Sequence, residues 1–181
     1  MNYDKQKLID LLEAEALARG EFTLASGAKA NYYLDCRKVT LHPLGANLVA
    51  AGMLDVISAG GLPAAVGGMA IGADPITASI VTLAGQRELN LKGFMVRKEP
   101  KGHGTGKQVE GPVQAGDEVV VVEDVITSGG SAIKAVEAAE AFGLRVREVV
   151  AIIDRLAGGE DAFAARGLAL KTLTTIRDFG L

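Results

Sequence analysis

The chain has 181 residues, of which 49% are apolar and 23% charged, with a formal net charge of -3. This balance excludes a disordered or fibrous chain and predicts one globular domain over residues 1–181. The slight acidity also excludes a sequence-wide basic surface for general nucleic-acid binding, so any anion site has to be local. Cys36 is the only cysteine, so no intrachain disulfide can form, and a reducing compartment, the cytoplasm, is expected. No apolar stretch approaches the roughly 18 residues of a membrane helix and no signal-like segment is present, which predicts a chain that does not cross a membrane. With aromatics at 4% and no Trp, the core has to be aliphatic, as in buried parallel strands covered by helices.

Leu8, Leu11, Leu12 and Ala16 recur at helical spacing after Asp4, a capping residue type, and predict an amphipathic helix ending near Gly20. Strand-like pieces at 21–24 and 32–35, separated by the small residues of ASGAKAN, predict a hairpin, so residues 1–40 contribute a helix and a hood. Pro43 opens a second helix that closes on glycines. His42 beside it reads as a helix-start residue and Cys36 as a packing residue; neither is assigned a function. Beyond residue 63 the short apolar runs AAVGG, GFMVRK, EVVVVED, EVVAIIDR and LALKTLTTIRDF alternate with helical or glycine-rich stretches. That alternation predicts an α/β fold with a central, mainly parallel sheet flanked by helices, and directs the search for a site to the carboxyl ends of the strands. Residues 97–117 form the one long irregular stretch, a length usually tied to function.

The segment VVVVEDVITSGGSAIKAVEAAEAFG passes from a buried strand to two carboxylates, then to a small polar loop, then to a helix with Ala132, Ala135, Val136, Ala139 and Phe142 on one face. Thr127, Ser128, Gly129, Gly130 and Ser131 lack bulk, so their backbone N–H groups can converge on a phosphate at the positive end of the helix dipole. The Gly-Lys-Ser/Thr ending of a P-loop is missing. Glu123 and Asp124 sit where a buried strand meets this loop, a costly place for two carboxylates unless hydroxyls or a metal satisfy them.

VVVVEDVITSGGS resembles the phosphoribosyl diphosphate signature of the type I phosphoribosyltransferases. The resemblance implies that Glu123 and Asp124 contact the ribose hydroxyls and that Thr127 to Ser131 hold the 5-phosphate. Val125 and Ile126 complete the substrate-binding stretch, and Mg2+ accompanies the diphosphate rather than occupying an all-protein cage.

VRKEPKGHGTGKQVEG sets Arg97, Lys98, Lys101, His103 and Lys107 among glycines after an apolar strand. Read alone it is a solvated basic loop; beside a phosphate loop it is a cationic arm able to stabilise a departing diphosphate and to exclude water. The spacing Arg97, Lys98, Lys101, His103 resembles the catalytic loop of the orotate phosphoribosyltransferase branch. That resemblance implies a homodimer in which Arg97, Lys101 and His103 reach the neighbouring subunit's site while Lys98 serves its own. Lys101, His103 and Asp124 are then the catalytic candidates, and orotate and phosphoribosyl diphosphate the substrates.

Arg155 follows the strand EVVAIID, where its planar fork could grip a carboxylate, with a surface ion pair to Asp154 as the alternative. By resemblance Arg155 binds orotate and Thr127 is a second contact. VGGMAIGADPI resembles the family's diphosphate-cradling loop, with Gly68 to Ala70 as contacts, although a tight structural turn explains the same residues. FTLASGAKANYYLD resembles the hood near the base, but Ala25 stands where many members carry lysine, with Lys29 or Arg37 as substitutes. The rival readings are a purine phosphoribosyltransferase and a regulator of the same fold that binds RNA.

Overall fold

A computed structural model of the chain describes residues 2–23, 29–99 and 107–181. Helix α1 (Lys5–Leu11) starts at Asp4, whose carboxylate accepts the Lys7 N–H, and continues through a π turn over Leu12–Ala16. Strand β1 (Leu17–Thr23) follows and pairs antiparallel with β2 (Lys29–Leu34), with Leu17 opposite Leu34 and Arg19 opposite Tyr32. The predicted hairpin is present, but the helix stops before the predicted end near Gly20. Its buried stripe of Leu8, Leu12 and Ala16 has no further apolar member, and the next residues find backbone partners on β2 instead.

A short helix α2 (Arg37–Thr40) leads to α3 (Pro43–Ser58), which has Pro in its first turn. As read from sequence, His42 caps this helix: its Nδ1 accepts the Leu44 and Gly45 N–H groups at 3.2 and 3.4 Å. The main sheet then builds from β3 (Ala65–Met69), β4 (Lys92–Val96), β5 (Val109–Glu110), β6 (Glu118–Ile126), β7 (Arg145–Asp154) and β8 (Ala169–Thr175). Its order is β5-β4-β3-β6-β7-β8; every pairing is parallel except that of β4 with β5. The predicted last strand ends sooner than its sequence run, because Thr175 and Asp178 cap a 3-10 turn over Ile176–Phe179.

Three layers result from side-chain alternation along the strands. Val120 and Val122 of β6, with Val150 and Ile152 of β7, face α1, α3 and α4 (Ala73–Gln86). Val119 and Val121, with Val149 and Ala151, face α5 (Gly130–Phe142) and Phe163 of α6 (Gly159–Ala164). The chain leaves β3 for β4 through α4 and leaves β6 for β7 through α5, in opposite directions along the sheet and on opposite faces. The connections therefore diverge beyond the adjacent carboxyl ends of β3 and β6, the switch point where open α/β sheets form a crevice. Among the described residues no helix is long and apolar enough to cross a membrane.

Candidate active site

Two adjoining hollows occupy that crevice. The smaller, about 180 Å³, is lined by Glu123, Val125, Ile126 and the loop Thr127, Ser128, Gly129, Gly130 and Ser131 ahead of α5. The loop lies close over α6 because two glycines permit it. Gly129 has φ 80°, and a Cβ on Gly159 would stand 2.2 Å from Ile126 Cγ2 and 3.1 Å from the Thr127 carbonyl oxygen. The opening N–H groups of the thirteen-residue α5 face this hollow with no side-chain cap, which leaves donors at the positive end of the helix dipole.

The larger hollow, about 410 Å³, shares Val125 and Thr127 with the first and adds Asp124, Lys98 and Arg155 from three strand ends. Residues 33–37 of the hood and its exit, with Ile71 and Gly72 from the turn after β3, close its other sides. Gly72 lies against the acidic pair: a Cβ there would stand in ordinary contact, 3.4 Å from Glu123 Oε1 and 3.5 Å from Asp124 Oδ1. The turn itself begins later than predicted, since Gly68 and Met69 belong to buried β3. Gly68 is required there by packing, because a Cβ would stand 2.2 Å from the Val122 carbonyl oxygen.

Glu123 is 4% exposed, and its Oε2 has no partner among the described residues. Burial, reinforced by the charge of Asp124, pushes its pKa from 4.5 up to about 8. Asp124 is half-buried and spends Oδ1 on the Val125 N–H at 2.7 Å. Cys36 is in the core as expected, its thiol pushed well up by burial and then by Asp124 and Asp35. Asp35 binds Arg37 through two hydrogen bonds of 2.7 and 3.0 Å, and the Arg37 bond holds the Asp35 carboxyl below its ordinary range.

The alternative of an Arg155–Asp154 ion pair is not the arrangement found. Asp154 accepts the Leu156 N–H at 2.8 Å, and Arg155 donates from Nε to the Tyr32 hydroxyl at 2.7 Å. Arg97 lines neither hollow; its N–H bonds the Gln108 carbonyl oxygen at 2.9 Å and its Nε bonds Glu110 Oε1 at 3.1 Å. Lys101, His103 and Ala25 lie outside the described residues. Of the two substitutes for the hood lysine, Arg37 lines the larger hollow, whereas Lys29 lines a separate depression with Glu21, Ala30 and Asn31. Sequence reasoning overlooked Tyr32, for which the paired tyrosines of the hood segment were the available signal.

A parallel sheet whose switch point carries an acidic pair, a small-residue loop and a helix start has the architecture of a type I phosphoribosyltransferase. No protein-family model matches the chain. Orotate phosphoribosyltransferase of Rhodopirellula baltica is 74% identical over 185 residues, covering 99% of this chain and 96% of that protein. The structure superposes on orotate phosphoribosyltransferase of Mycobacterium tuberculosis bound to Fe(III) dicitrate with a TM-score of 0.87 and 35% identity, covering 98% of this chain and 99% of that one. The same M. tuberculosis enzyme bound to 5-phospho-alpha-D-ribosyl 1-diphosphate gives a TM-score of 0.81 at 32% identity, with coverage of 98% and 99%. The chain belongs to the orotate phosphoribosyltransferase family, glycosyltransferases of pyrimidine synthesis.

Proposed function

We propose that the two hollows divide the substrates between them. Thr127, Ser128, Gly129, Gly130 and Ser131 hold the 5-phosphate, Glu123 and Asp124 take the ribose hydroxyls, and Arg155 grips the carboxylate of orotate. Val125 and Ile126 carry the backbone between these contacts. The observation that supports this division is the shared edge: Val125 and Thr127 line both hollows, so a ribose bridging them would lie beside the acidic pair. The unpartnered, buried Oε2 of Glu123 is a polar atom that a ribose hydroxyl would satisfy.

In the proposed reaction, deprotonated N1 of orotate forms a bond to the ribose anomeric carbon with inversion. The bond to diphosphate breaks and its electron pair leaves with the diphosphate, giving orotidine 5'-phosphate. No side-chain nucleophile is required; positioning and electrostatic stabilisation carry the rate. Lys98, on the cleft wall, serves the diphosphate of its own site, and Arg37 supplies hood charge in place of the lysine absent at Ala25. The catalytic arm is assigned to Lys101 and His103, which with Arg97 act across a homodimer on the neighbouring subunit's site.

Among the described residues no three His, Cys, Asp or Glu side chains group as a metal cage. The donors present, two adjacent carboxylates with a free oxygen on Glu123, fit Mg2+ carried in mainly on substrate oxygens. When bound, Mg2+ neutralises charge on the diphosphate. Residues 1–181 act as one catalytic domain, with residues 1–40 as its helix and hood, in the reducing cytoplasm that suits the buried free thiol of Cys36. The test is absorbance-monitored consumption of orotate with phosphoribosyl diphosphate and Mg2+, beside a panel of purine bases. Orotate consumption is expected; turnover of adenine, guanine or xanthine without orotate would overturn the proposal.

A further inference from the structure

Arg155 directly follows β7 of the sheet, and Tyr32 stands on β2 of the hood, 123 residues away in sequence. The two side chains meet in two ways. Arg155 Nε donates to the Tyr32 hydroxyl at 2.7 Å, and the guanidinium carbon lies 4.7 Å from the centroid of the Tyr32 ring, within cation–π range. A guanidinium is a rigid plane with five N–H donors. Tying down Nε and resting the plane on a ring leaves the two terminal nitrogens as the end available to a planar carboxylate. Among the described residues no carboxylate pairs with Arg155, so that end is not spent on an ion pair within the cleft.

We infer that Tyr32 is a positioning residue for the base site: it fixes the plane of Arg155 so that the terminal nitrogens meet the carboxylate of orotate. This rests on the assignment of Arg155 to that carboxylate. The hood thereby takes part in selecting the base through an arginine of the sheet, and a carboxylate-free pyrimidine gains nothing from the arrangement.

Steady-state kinetics of Tyr32→Phe, Tyr32→Leu, Arg155→Ala and the Tyr32→Phe/Arg155→Ala double variant test the inference. Tyr32→Phe keeps the ring and loses the hydroxyl, and should raise the KM for orotate about 5- to 10-fold while moving that for phosphoribosyl diphosphate less than about twofold. Tyr32→Leu loses both contacts and should cost more. In the Arg155→Ala background Tyr32→Phe should add less than about twofold, since there is no guanidinium left to orient. A merely structural tyrosine would shift both KM values and would act independently of Arg155; either result overturns the inference. If Arg155→Ala raises the orotate KM selectively while both Tyr32 variants are silent, the positioning role alone falls. If Arg155→Ala leaves the orotate KM unchanged, the carboxylate assignment falls and the role of Tyr32 with it.

Discussion

Replacing Glu123 by Gln should make the protein more stable in mild alkali and flatten its stability profile there. The carboxyl is 4% exposed, and burial followed by the Asp124 charge raises its pKa from 4.5 to about 8. A carboxyl raised in this way favours the folded state fully below its unfolded pKa. The advantage is lost as pH climbs, because the unfolded chain ionises first and only above the folded pKa does the native state follow. Between the two values the loss runs at about 1.4 kcal/mol per pH unit, so raising the pH from 6 to 8 costs about 2–3 kcal/mol. The amide of the variant would keep an oxygen for the Asp124 N–H that Glu123 Oε1 now accepts at 3.2 Å, and it never ionises. Urea unfolding followed by circular dichroism at pH 6 and pH 8 for both proteins, differenced to remove other titrating groups, measures this loss. An equal fall in stability for Glu123→Gln and the parent would refute the reasoning.

Gly68→Ala sets a methyl 2.2 Å from the Val122 carbonyl oxygen and 2.8 Å from Ala73 Cβ, between two rigid elements, and should lower stability by about 3 kcal/mol in the same assay. Arg147 donates to the Ile57 carbonyl oxygen in the last turn of α3, to those of Gly60 and Gly61 just past it, and to buried Glu148 at 2.8 Å. Arg147→Ala leaves Glu148 with Lys171 alone and should cost about 2–4 kcal/mol, read from the urea midpoint. Lys101→Ala should slow single-turnover chemistry far more than it weakens substrate binding, because the charge is assigned to the transition state. Mixed with Asp124→Asn subunits, themselves inactive, it should regain about one quarter of parental activity after random reassortment, one sound site in each heterodimer. No recovery despite confirmed mixing would place the loop in its own site.

The centre of the site was legible because three local signals agree there. Four consecutive valines specify a strand buried on both faces, the small polar residues 127–131 suit the loop and helix start they form, and the alanines of α5 repeat at helical spacing. The hood is less legible in the sequence. Strand boundaries depend on register, and Leu17 to Arg19 become strand only because Tyr32 to Leu34 stand opposite. Gly68 looked like part of a turn, yet it answers to a carbonyl on β6, a neighbour that local pattern does not disclose. The contact of Tyr32 with Arg155 is of the same kind, a property of tertiary approach with no periodicity to mark it.

Strand β5 is only two residues long, but its pairing with β4 at Met95 and Val96, with the Arg97–Gln108 backbone bond beyond, fastens together the two ends of the cationic segment. Covalent chain length then bounds how far any residue between those two ends can lie from them. Lys101 is four residues past Arg97, so its Cα lies no more than about 14 Å from that anchor. That radius is a ruler for any assembly: a neighbouring cleft served by this lysine has to lie within it, plus the length of one side chain.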